Sequence, residues 1–154
     1  MAAGDGSVTV LASSLAHASF GFGGFDAISI RGREGVYFVN RSGRTARAVM
    51  YDNGPDYLAE GLARTQRNGK MGFVNMQLDE VVPPVWDFAS PFHNGVAMVC
   101  TGCAAKPIPP DGEHTQMSGG KWGYIDKNGK VLVPVTFDEK SLPAHDVAAK
   151  FVGR

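Results

Sequence analysis

Short apolar runs of three to five residues, each cut by turn-forming residues, recur along the chain at fixed offsets. Tyr37-Phe38-Val39-Asn40 is followed by Arg41-Ser42-Gly43, Gly72-Phe73-Val74-Asn75 by Met76-Gln77-Leu78, and Gly123-Tyr124-Ile125-Asp126 by Lys127-Asn128-Gly129. The first two lie 35 residues apart and the last two 51. A second block, Tyr51-Asp52, Trp86-Asp87 and Phe137-Asp138, keeps both offsets. A third, Gly61-Leu62-Ala63, Gly95-Val96-Ala97 and Asp146-Val147-Ala148, keeps offsets of 34 and 51. Periods of this size mark stacked or radially arranged supersecondary units, each too small to bury its own apolar face.

Every copy predicts the same local structure. An aromatic and β-branched run forms a strand, a polar turn follows, and a second strand returns. In the last copy these are residues 122–126, then Asn128-Gly129 as a tight hairpin turn, then residues 131–133 ended by Pro134. An irregular connector holding Phe137-Asp138 leads to a short strand at 147–150. The middle copy reads as strands at 71–75 and 81–82, a connector over 83–94 and a strand at 96–99. The first reads as 36–40, 47–50, a connector through Gly54-Pro55, and 62–65, with Asn68-Gly69 turning into the middle copy. No segment sustains a period of 3.6, and residues 58–60 and 144–152 have room for a helical turn and no more.

The pattern therefore predicts an all-β domain over 25–154: three short antiparallel units plus a degenerate N-terminal copy. Propeller-like, barrel-like and open solenoid arrangements all satisfy it. Residues 27–30 read as the last strand of the degenerate copy, and residues 8–11, within the segment 1–24, as a capping strand. The spacing difference of 16 residues places an insertion at 100–118, a Pro- and Gly-rich hairpin loop. Loops of this length in a compact domain are usually functional or mobile.

Composition narrows the partner. Lys+Arg and Asp+Glu both number 15, so formal net charge is zero, which speaks against nucleic acid as partner. The local run Arg31, Arg33, Arg41, Arg44 and Arg47 reads as a solvated strand face. No apolar stretch reaches the roughly 18 residues that cross a bilayer, so no membrane insertion is expected. The first residues carry Asp5 and no Lys or Arg ahead of a broken apolar run, unlike a secretory signal. As written the chain reads as cytoplasmic, or as periplasmic if a signal has been removed.

Cys100-Thr101-Gly102-Cys103 is the one chemically provocative motif. A pair at this spacing serves half a zinc site, a redox pair or a local disulfide. Zinc needs four ligands, and the available set, Cys100, Cys103, His114 and His93, has an unfamiliar spacing. The reading adopted is a disulfide or inert thiols at the base of the loop, with neither cysteine in the core, no metal and no cofactor. No nucleophile elbow, phosphate-binding loop or acid/base dyad is present, so no catalytic residue is assigned. Trp86, Trp122, Gly72 and Gly123 read as structural, the rings as anchors between repeats and the glycines as places of close backbone approach.

Gly120-Lys121-Trp122-Gly123-Tyr124-Ile125-Asp126-Lys127-Asn128-Gly129-Lys130, with Val133-Pro134 and Phe137-Asp138 after it, resembles the bacterial WG-repeat family. Lys70-Met71-Gly72-Phe73-Val74-Asn75, Pro83-Pro84, Trp86-Asp87 and Gly95-Val96-Ala97 match more loosely, and the first copy has Val36-Tyr37 in place of Trp-Gly. The resemblance implies β-rich modules acting as interaction scaffolds, with no shared catalytic site. The expected function is thus a non-enzymatic module that binds another protein, a bacterial toxin being one concrete partner. Lys106, Ile108, Asp111, Glu113 and His114 of the insertion are the candidate contact residues, and the connectors at 56–60 and 90–94 the alternative surface. The rival reading is a metal- or thiol-dependent protein using Cys100, Cys103 and His114.

Overall fold

A computed structural model describes residues 25–29, 35–51, 54–55, 58–107, 109 and 115–153. The chain divides into two compact units, Met1–Pro84 and Val85–Arg154. The N-terminal segment 1–24 with its expected capping strand, and Arg31 and Arg33, lie outside the described residues.

The first unit contains two three-stranded antiparallel meanders. One is β1 (Phe25–Ser29), β2 (Val36–Asn40) and β3 (Thr45–Arg47), the other β6 (Ala63–Arg67), β7 (Lys70–Val74) and β8 (Glu80–Trp86, whose last two residues belong to the second unit), with the small ribbon β4 (Met50–Tyr51) and β5 (Gly54–Pro55) between them in sequence. An Ala48↔Thr65 bridge and a hydrogen bond from Thr65 Oγ1 to the Arg47 carbonyl (2.7 Å) tie the two meanders together. Phe38, Ala48, Ala63, Val74 and Leu78 form the buried core beneath them.

In the second unit the sheet order is β14 (Val131–Phe137), β13 (Lys121–Asp126), β10 (Val96–Thr101) and β9 (Phe88–Ala89). The 3-10 turn Glu139–Ser141 and helix α1 (His145–Ala149) follow β14. The hairpin β11 (Ala104–Pro107) and β12 (Thr115–Ser118) is a separate two-stranded ribbon. The fold is predominantly β, as the periodicity predicts. Among the described residues no sheet closes on itself.

The same meander is drawn three times. The last strand of one copy pairs with the first strand of the next: β1 with β2, β6 with β7, and β10 with β13. The turn inside each copy is also the same. In all three an Asx side chain at the end of the first strand accepts two backbone N–H groups, Asn40 from Ser42 and Arg44, Asn75 from Gln77 and Asp79, and Asp126 from Asn128 and Lys130. The third residue after it is left-handed, Gly43 at φ 86°, Leu78 at 62° and Gly129 at 84°. This is a three-residue loop with a bulge, rather than the two-residue turn expected of Asn128-Gly129, because the Asx oxygen organises the loop from the strand end. Asn75→Ala is expected to cost about 1–2 kcal/mol, since two backbone donors lose their acceptor at once; urea unfolding against the parent measures it.

Three sequence expectations are corrected. β8 and β14 do not end at their prolines but run on to Trp86 and Phe137, and β9 forms within the supposed connector 83–94. Both strands are outermost in their sheets, so the missing proline N–H costs no ladder bond. The final copy ends in helix α1, not in a strand. The earlier copies start their last strand from two-residue turns with positive φ at both positions, Glu60 (54°) with Gly61 (81°) and Asn94 (50°) with Gly95 (80°). His145-Asp146 stands at that place in the final copy and offers no glycine, and the Ala-rich run after it favours helix. Trp86 is only partly buried, because it ends an outer strand; Trp122 lies on the inner strand β13 and is buried.

Candidate functional site

Trp122 and Gly123 divide the work of one strand. On one face the Trp122 ring packs with Cys100, Cys103, Phe88, Met98, Met117 and Leu142, meets Phe88 edge-on at 6.2 Å, and donates its Nε1–H to the Gly119 carbonyl at 2.7 Å. At Gly123 the neighbouring chain lies so close that a Cβ would fall on the Val133 carbonyl oxygen and within 2.9 Å of the Pro134 carbonyl carbon. Gly72 is crowded in the same way by the Val82 carbonyl and by Pro83 and Pro84, both within 2.7 Å. The β13–β14 register shifts between Trp122 and Tyr124, which brings the Val-Pro backbone over the glycine. The first copy has Tyr37 at this position and pairs β2 with β3 in unbroken register.

Cys100 and Cys103 are joined by a disulfide. Both are buried in the Trp122 cluster, at 0% and 8% exposure, contrary to the expectation that neither belongs to the core. The backbone requires this: Cys100 pairs with Trp122 on one side and with Phe88 on the other, in the middle of the sheet. With both sulfurs bonded to each other, neither offers the thiolate that a zinc ligand must be. His93 is drawn elsewhere: its ring stands 5.4 Å from that of His145, whose Nε2–H donates to the His93 carbonyl at 2.6 Å. Among the described residues no three His, Cys, Asp or Glu side chains gather as a metal set.

The insertion rises from this cluster. β10 ends at Thr101, Gly102 turns in the left-handed region (φ 73°) and donates its N–H to Asp87 Oδ2 at 2.6 Å, and β11 begins one residue after Cys103. On the return, Gly120 is pressed against Thr101, Gly102 and Cys103, so no side chain fits there. β11 and β12 pair from Ala104↔Ser118 to Pro107↔Thr115, and Ala104, Ala105, Lys106, Pro107, Thr115 and Gln116 are all exposed. Lys106 is therefore on an open strand; Ile108, Asp111, Glu113 and His114 lie outside the described residues. Among the described residues of the arm, Met117 and Ser118 are the partly buried ones, Met117 against the cluster and Ser118 with its Oγ on Glu139 Oε2 at 3.3 Å.

Electrostatics around the sheet are local. Lys121 Nζ donates to Asp138 Oδ1 at 2.7 Å, and that hydrogen bond, then the Lys121 charge, holds the Asp138 carboxyl below its ordinary value. Burial, then the negative charge of Asp146, raises the Tyr124 phenol above its ordinary value while its hydroxyl donates to the Pro143 carbonyl at 2.8 Å. In the first unit Arg44 pairs with Asp79, and Arg67 forms a two-pronged bridge to Glu80. These exposed pairs contribute little to stability, and the two arginines are neutralised rather than presented.

Residues 71–102 and 122–141 match the family described as WG containing repeat, and the chain carries that repeat at both places. Each matched segment opens on the residue before the crowded glycine, Met71 or Trp122, and the first ends at Gly102, where the arm departs. No curated protein and no solved structure was found to be similar to this chain.

Proposed function

We propose that this WG-repeat chain is a non-enzymatic protein-binding module whose contact surface is the β11–β12 arm. The observation that carries the reading is the contrast between the arm and the sheet beneath it. Copies of one meander differ chiefly by this insertion, and its strands are exposed while its base is fixed by a disulfide, a carboxylate hydrogen bond and a glycine contact. An arm so anchored presents side chains with little ordering cost on binding. Neutralisation of a bacterial toxin is the concrete version of this role. The disulfide also supports placement in an oxidising compartment such as the periplasm.

The test is excision of the arm. The cut must spare Cys103, which is buried, and Thr101, which pairs with Lys121; removal therefore runs from Ala104 to Ser118, closed by a short Asn-Gly link. Circular dichroism is expected to match the parent, while urea unfolding shifts down by roughly 1–2 kcal/mol because Met117 leaves the Trp122 cluster. A partner captured from native lysate by the parent, then purified, is expected to bind the excised form at least about tenfold more weakly, a loss of about 1.4 kcal/mol. Undiminished affinity would move the surface to the connectors at 56–60 and 90–94.

A further inference from the structure

We propose that the Cys100–Cys103 disulfide is a thiol-sensitive latch that sets whether the β11–β12 arm is held or free. This deepens the reading of the arm as contact surface, and its test needs no partner, so the two can fail separately.

The two sulfurs are held unequally. Cys100 sits within β10 and is paired on both sides, with Trp122 and with Phe88. Cys103 lies between the end of β10 and the start of β11 and belongs to no strand. It follows Gly102, whose left-handed φ of 73° makes a natural hinge. Beyond the disulfide, the base of the arm is held among the described residues by the Gly102 N–H on Asp87, by the Trp122 indole on the Gly119 carbonyl, by Met117 in the Trp122 cluster, by the Ser118 and Gly119 bonds to Glu139, and by the close packing of Gly120. A two-stranded ribbon has marginal stability on its own in water. Its order is thus borrowed from its base.

Opening follows ordinary thiol–disulfide exchange with a dithiol, small or protein-borne. A dithiol thiolate attacks the Sγ of Cys103, the more exposed residue of the two at 8% against 0%, and the S–S bond breaks. Cys100 leaves as a thiolate and takes up a proton, and Cys103 is held in a mixed disulfide. The second dithiol sulfur then displaces Cys103, which also becomes a thiol. Two electrons pass to the protein and the dithiol departs as a disulfide. Two thiols now need van der Waals separation, roughly 3.5–4 Å, inside a packed cluster. Cys100 is fixed by its ladder, so Cys103 gives way and carries the start of β11 with it.

The experiment is hydrogen–deuterium exchange by mass spectrometry on the whole protein, oxidised and after dithiothreitol, with thiol counting to confirm reduction. Peptides covering 104–107 and 115–118 are expected to exchange at least about tenfold faster once reduced, while those covering 96–100 and 122–126 stay unchanged. The double variant Cys100→Ala with Cys103→Ala is expected to copy the reduced pattern without dithiothreitol. Unchanged arm exchange in the reduced protein overturns the latch. So does exchange that rises equally in the sheet, which makes the bond a staple of the core, and so does a disulfide that native-state dithiothreitol fails to open. Should the double variant not fold, the reduced parent decides alone.

Discussion

Trp122→Ala is expected to destabilise the second unit by about 3–5 kcal/mol, the range for large aromatic truncations in cores. The ring is 3% exposed and is the largest member of the cluster that holds both cysteines. Its removal opens a cavity beside the disulfide and leaves the Gly119 carbonyl without its indole donor. The walls of that cavity are poorly able to collapse, since Cys100 is fixed in the ladder and tied to Cys103. A domain of this size has about 5–15 kcal/mol in hand, so the variant should sit near the edge of folding. Trp86→Ala provides the comparison. Trp86 ends an outer strand and is only partly buried, so its truncation is expected to cost well under half as much in the same urea titration.

Gly123→Ala and Gly72→Ala are expected to cost about 3 kcal/mol each, the upper end for overpacking. A single methyl is added, but its neighbours are main-chain atoms of Val133 and Pro134, or of Val82, Pro83 and Pro84, which have no side-chain rotation to escape by. Neither glycine has positive φ, so the penalty is crowding rather than backbone conformation. Gly69→Ala separates the two causes. It has positive φ (76°) with nothing within 4 Å of the added methyl, and its expected cost is the left-handed penalty alone, about 1–2 kcal/mol. Similar losses at 72 and 123, both above that at 69, are the signature of a shared close approach. Thermal or urea unfolding of the three variants reads it directly.

The link between Gly123, Val133 and Pro134 explains what was legible in the chain and what was not. The offsets of 35 and 51 mark which residues correspond, and corresponding residues do occupy corresponding strands. Periodicity alone, however, does not show that the glycine exists to admit the Val-Pro backbone of the returning strand. A proline ends an inner strand, but β14 is an outer one and runs on past Pro134; strand order is a tertiary fact that the local pattern does not carry. The shared loop was visible in hindsight as Asn40, Asn75 and Asp126, three Asx residues at one repeat position. Leu78 hid it, because a buried leucine at φ 62° takes the place that glycine fills in the other copies. Helix α1 was legible only as room for a turn over 144–152, because its replacement of the last strand depends on an absence, the missing glycine beside His145. The insertion was legible from the offset difference, as was the nearness of the cysteines. Their burial was not, since it follows from Cys100 lying in the middle of a sheet whose partners come from residues 88–89 and 121–126.

The two WG copies share one design, in which Gly72 or Gly123 lies under a Val-Pro segment of the returning strand. Nuclear Overhauser contacts from the α protons of these two glycines measure it most directly. Contacts are expected from Gly123 to Val133 and Pro134, with matching contacts from Gly72 to Val82, Pro83 and Pro84. Contacts at one glycine and none at the other would contradict it.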